Sequence, residues 1–139
     1  MNTTINIWAV LAATLAHFII GGLWYSPVLF VKPWMRAMGI SQKEFEKKAK
    51  KNSPAKAMTI SFFTGLLMSY VLAYLIDYAQ ASTIAQGLQI GAWLWLGFVA
   101  TSTLSPTLFE GRNTKLWLIN VSYELVALLV MGAILAVWV

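Results

Sequence analysis

Hydrophobic residues run almost unbroken through four stretches of this chain, Thr4 to Leu23, Lys56 to Ile76, Ile84 to Leu104 and Leu116 to Trp138, and polar residues collect between them. Each stretch approaches the ~20 residues that an α-helix needs to cross a hydrocarbon core. The pattern predicts an all-α membrane protein: a single domain over 1–139 built as a four-transmembrane-helix bundle, with a basic cytoplasmic loop at 24–55. The run Met1 to Asn6 carries no Lys or Arg, and the first stretch ends in Trp24-Tyr25-Ser26-Pro27 instead of small residues. It is therefore expected to stay in the protein as a span and not to be cleaved as a leader.

The loop between the first two spans has a pattern of its own and predicts an amphipathic linker. Pro27 stops the first helix, and Pro33 starts a short one that carries Trp34, Met35 and Met38 toward lipid, with Gly39 as its C-terminal stop. Ser41 followed by Glu44 has capping-box spacing, so a second short helix is expected from Gln42 to Lys51, supported by Glu44–Lys48 and Glu46–Lys50 pairs at i, i+4. Ser53-Pro54 supplies an N-cap and a first-turn proline for the second span.

Charge then orients the spans. Eight of the ten Lys and Arg residues lie between Lys32 and Lys56, the remaining two being Arg112 and Lys115. Short loops rich in Lys and Arg stay in the cytoplasm, which puts both termini outside. The aromatic residues agree, with Trp24, Tyr25, Trp34 and Trp117 at the inner boundary and Trp8, Tyr74, Tyr78 and Trp138 at the outer one. In a 139-residue chain, 59% hydrophobic and 11% charged residues depart from soluble usage, where about 25% charged is ordinary. The net charge of +5 sits beside membrane spans, so the expected partners are the lipid bilayer and, at the basic loop, anionic headgroups worth roughly 1 kcal/mol per basic residue; nucleic acid is not expected. The absence of cysteine excludes disulfides, thiolate metal sites and thiol catalysis.

Helices in lipid associate through small residues that let backbones approach. Ala57, Ser61, Gly65, Ser69 and Ala73 recur at every fourth position of the second span, Ala9, Ala13, His17 and Gly21 do so in the first, and Gly87 and Gly91 mark the third. With Gly132 in the fourth, these are candidate packing positions. Because the stripes exceed what one thin bundle needs, a homo-oligomer is expected.

Only His17 and Glu124 place ionisable side chains well inside spans, where a charge near the centre costs at least ~2.5–3.5 kcal/mol. At 1.5 Å rise per residue, His17 lies roughly 10 Å above Trp24 and Glu124 roughly 13 Å above Lys115, so their depths agree. The two are expected to be partners in a polar intramembrane site completed by Thr101, Ser102, Asn120 and Tyr123. Two readings of that cluster stand: interhelical hydrogen bonds that hold one packing arrangement, or a proton- or ion-binding site. One His and one carboxylate do not supply the three or four ligands typical of zinc unless an oligomer contributes several copies. Neither an HExxH motif nor a glycine-rich phosphate loop occurs, and a lone histidine does not define a catalytic triad. No metal, cofactor or catalytic residue is expected. Trp24, Tyr25 and Trp34 form an interfacial aromatic block, read as an anchor or as the lining of a headgroup or solute site.

Gly22-Leu23-Trp24-Tyr25-Ser26-Pro27, then Phe30, Lys32, Trp34-Met35 and Gly39, with Phe109-Glu110-Gly111-Arg112, Asn120, Tyr123, Gly132 and Trp138 further on, resemble the domain-of-unknown-function family 1761. The resemblance covers nearly the whole chain. It implies a small prokaryotic protein of the cytoplasmic membrane and implies no activity. Three function classes follow from the residues: a permease-like or channel-like protein, a non-transporting scaffold or packing protein, and a membrane-embedded enzyme.

Overall fold

A computed structural model describes residues 5–25, 31–41, 43, 44, 46, 47 and 54–138, and it is helical with no strands among them. Helix α1 spans Ile7–Trp24, α2 Val31–Met38, α3 Pro54–Tyr78, α4 Ile84–Leu94, α5 Thr101–Phe109 and α6 Thr114–Val137. A π-helical segment, Trp95–Ala100, joins α4 to α5. Four continuous stretches are long and apolar enough to cross a membrane: Ile7–Trp24, Ala55–Tyr78, Ile84–Phe109 and Thr114–Val137.

Side chains and glycines set the helix ends. Asn6 Oδ1 accepts the Trp8 N–H at 3.0 Å and Asn113 Oδ1 the Lys115 N–H at 2.9 Å, so both outward-facing donors at these N-termini are satisfied. Thr83 and Gln86 close a capping box at the start of α4. Gly39 (φ +69°) and Gly111 (φ +68°) end α2 and α5 in the left-handed region. In each case the two following N–H groups return to the last turn, as Gly39 to Arg36 O and Ile40 to Met35 O at 3.1 Å. Gln80 does the same after α3 at φ +60°, without glycine's freedom.

The third span outruns its expected end at Leu104. Pro106 lacks an N–H to give, yet the helix continues through it to Phe109. Hydroxyls around the wide π turn add donors to carbonyls of their own helix: Thr101 to Gly97 O at 2.7 Å, Ser102 to Phe98 O, Thr103 to Val99 O at 2.6 Å and Thr107 to Thr103 O at 2.6 Å. In a medium without water, carbonyls loosened from the regular ladder need such internal partners.

Helix α6 touches each of the other long helices, and α1 also packs on α3. The closest approach is between α4 and α6. A Cβ at Gly87 would lie 2.3 Å from Gly132 O, one at Gly132 2.3 Å from Gly87 O, and one at Gly91 2.6 Å from Leu128 O. Only glycine permits this crossing. Val10, Ala13 and Thr14 of α1, Ser69, Leu72 and Ile76 of α3, and Ala127, Met131 and Leu135 of α6 form the buried centre.

Two expectations need correcting. Within the described chain the small-residue stripe of α3 is buried from Gly65 through Ser69 to Ala73, whereas Ala57 and Ser61 are exposed. Helix α2 does not turn Met35 to lipid: Val31 and Met35 are buried, Trp34 is half-buried, and the helix contacts α6, with Asn113 Nδ2 donating to Ala37 O at 3.5 Å. Apolar side chains on a short helix gain more by covering another helix than by facing headgroups. Ser41 Oγ accepts the Glu44 N–H at 3.2 Å, as the capping spacing predicts. Ser26-Pro27, Ser53 and the partners Lys48 and Lys50 lie outside the described residues.

Candidate functional site

Three tryptophans fasten the neighbours of α6 to its first half. Trp24 Nε1 donates to Ile119 O at 3.0 Å, Trp95 Nε1 to Val121 O at 2.7 Å, and Trp117 Nε1 to Thr103 Oγ1 at 2.9 Å. An indole N–H buried beside lipid needs an acceptor, and these bonds hold α1 and the third span where they frame residues 117–124.

Within that frame His17 is buried, with its ring over Gly65, where a Cβ would come within 3.1 Å of Nδ1. Its partner is Tyr123: the hydroxyl lies 2.9 Å from His17 Nε2 and 3.3 Å from His17 O. The absence of a side chain at Gly21 makes room for that hydroxyl, 3.0 Å from where a Cβ would stand. Tyr25 Oη donates to Asn120 Oδ1 at 2.6 Å. The Tyr25 ring meets Tyr123 edge-on at 5.7 Å and Trp34 at 6.3 Å between centroids.

Residues of α5 and α6, with Tyr25 and Val99, line a half-open cavity of about 380 Å³ that includes Thr103, Thr107, Arg112, Asn113, Trp117, Asn120, Tyr123 and Glu124. Glu124 makes no hydrogen bond or ion pair with any described residue. Several polar groups around it hold partners of their own: Thr103 and Thr107 donate to carbonyls of their own helix, Asn120 Oδ1 accepts from Tyr25, and Arg112 Nε pairs with Glu110 at 2.7 Å. The carboxylate is thus a polar group of the cavity with no hydrogen bond or ion pair among the described residues.

Of the residues singled out in the sequence, His17, Tyr123, Asn120 and Glu124 come together. The imidazole bonds to Tyr123 rather than to Glu124, because consecutive residues of a helix point about 100° apart and only one of the pair can face α1. Thr101 and Ser102 stand outside the cluster, exposed, with their hydroxyls on Gly97 O and Phe98 O. Gly21, Gly65, Gly87, Gly91 and Gly132 lie in contacts between helices and Ser69 is buried, while Ser61 is exposed. Trp24, Tyr25 and Trp34 pack as one block against α6 and the site. Thr103, Thr107, Arg112 and Trp117 belong to the cavity and escaped sequence reasoning. Their signal is the polar face Asn113, Trp117, Asn120, Glu124 at i, i+4, i+7, i+11, met by Thr103 and Thr107 four apart. No group of three or more His, Cys, Asp or Glu that could hold a metal occurs among the described residues.

Four long apolar helices and polar groups gathered between them define a protein of the multi-pass membrane class. Residues 8–136 match the family described as "Protein of unknown function (DUF1761)", and the chain belongs to that family. No curated protein and no solved structure matches the chain.

Proposed function

We propose that this chain is a small permease-like protein of the cytoplasmic membrane, in which the cavity at Glu124 receives the transported solute. The observation that carries the reading is a carboxylate without a hydrogen-bond or ion-pair partner among the described residues, on the wall of a cavity of about 380 Å³, where a scaffold would be expected to satisfy or avoid such a group. The cavity ends against a closed half: Val10, Ala13, Thr14, Ser69 and Met131 are essentially inaccessible between it and the opposite end of the helices. A pocket closed at one end suits alternating access better than an open channel. In this reading the four spans form one bundle, the basic linker and the mouth of the cavity face the cytoplasm, both termini lie outside, and anionic headgroups meet the linker. The exposed small residues Ala57 and Ser61 continue the buried stripe of α3 and offer a contact to a second copy of the chain.

The natural chain has no cysteine, so single-cysteine variants report water access without background. Thr107→Cys on the cavity wall is expected to react with a membrane-impermeant thiol reagent applied from the cytoplasmic side, and Met131→Cys in the closed half to resist it. Failure of Thr107→Cys to react from either side would mean a dry cluster and favour the scaffold class.

A further inference from the structure

Resting on that permease reading, we infer that the Glu124 cavity selects a small organic cation, an ammonium group carried on a compact apolar body. Three observations point the same way. The first is size: a single water occupies roughly 30 Å³, so a cavity of about 380 Å³ is far too roomy to grip a bare metal ion or a proton alone, and lies in the range that takes small organic ligands.

The second is the absence of a cation coordination shell. A hard cation takes six or more oxygens, whereas the charged oxygens among the described residues of this wall are those of Glu124 alone, and Thr103 Oγ1 is already occupied by its bond to Val99 O and by the Trp117 N–H. One open carboxylate remains, which balances a single positive charge and does not build a cage. An anionic solute would meet that carboxylate, while the exposed Arg112 guanidinium already carries Glu110 on its Nε at 2.7 Å.

The third is the aromatic wall. Tyr25, Tyr123 and Trp117 line the same cavity as Glu124. The centroids of Tyr25 and Tyr123 are 5.7 Å apart with their planes at 68°, so they form a corner in which one cationic group can approach both rings within the ~6 Å at which ring and cation attract. An alkylammonium has a diffuse charge that such rings stabilise and an apolar surface that they cover. A hydrated inorganic ion has neither.

Calorimetric titration of the detergent-solubilised full chain with choline, with its uncharged isostere 3,3-dimethyl-1-butanol, and with sodium at constant ionic strength tests this. Choline is expected to bind at least ~10-fold more tightly than the isostere and than sodium, a margin of one decade in Kd. Glu124→Gln is expected to lose at least ~10-fold in choline affinity, and Glu124→Asp, which keeps the charge, less than ~3-fold. Equal binding of choline and its isostere would overturn the inference, since charge would then not be read. Glu124-dependent binding of sodium without choline would overturn the organic class while leaving the permease reading in place. If no probe binds and Thr107→Cys is also inert to thiol reagent, both fall. The three-probe comparison on the natural chain decides the matter even if the Glu124 variants do not fold.

Discussion

The α4–α6 crossing allows a sharp test of how the helices are held. In Gly132→Ala the new Cβ would stand 2.3 Å from Gly87 O, whereas carbon and carbonyl oxygen sit at about 3.3–3.6 Å in a close interhelical contact. The oxygen belongs to a helix backbone, so it cannot swing aside and the two helices must separate by about 1 Å. A gap of that size forfeits a quarter to a half of the attraction at each atom pair along the crossing, and Gly91, whose own Cβ position is 2.6 Å from Leu128 O, opens with it. Overpacking of this kind costs about 1–3 kcal/mol, while alanine's better helix propensity returns up to ~1 kcal/mol. The matched control is Gly22→Ala, where nothing lies within 4 Å of the added Cβ and only the propensity gain applies. Titration with a denaturing detergent, followed by near-ultraviolet dichroism, is expected to place Gly132→Ala about 1–3 kcal/mol below Gly22→Ala, since the propensity gain is common to both. Equal stability of the two variants would refute the close crossing.

Other outcomes follow from the same structure. A double-mutant cycle with His17→Phe and Tyr123→Phe is expected to show coupling of about 0.5 kcal/mol or more, in line with interhelical hydrogen bonds in membranes. The cycle with His17→Phe and Glu124→Leu should show less, and the reverse order would reinstate Glu124 as the imidazole's partner. Gln80→Gly relieves a left-handed residue after α3 and is expected to raise stability by up to ~1 kcal/mol in thermal melts; a loss would mean that the Gln80 Nε2 bond to Asp77 O, 3.2 Å long, outweighs the strain. A reporter fused after Val139 should be active only outside the cytoplasm, and cytoplasmic activity would overturn the orientation.

Much of this protein was legible as a sequence because the requirements of lipid are local. A span must be apolar over ~20 consecutive residues whatever its neighbours, so Ile7–Trp24 and Thr114–Val137 appear as simple runs. Caps are equally local, as Ser41 with Glu44 shows. The depth agreement between His17 and the 123–124 turn was also readable, since rise per residue is constant along a helix. Rotation about the helix axis was not: whether Tyr123 or Glu124 faces His17 depends on how α1 and α6 are turned against each other, and the Gly65 and Gly21 contacts settle that only in three dimensions. The end of the third span was not readable from its apolar run, because the helix carries on through Ser105 and Pro106 to Phe109. The inward docking of α2 through Val31 and Met35 required knowing that α6 lies beside it, and the cavity exists only because residues of α5 and α6 more than ten positions apart leave space between them. Burial along the chain is a property of each segment, whereas contact across it is a property of pairs, and only the folded arrangement selects the pairs.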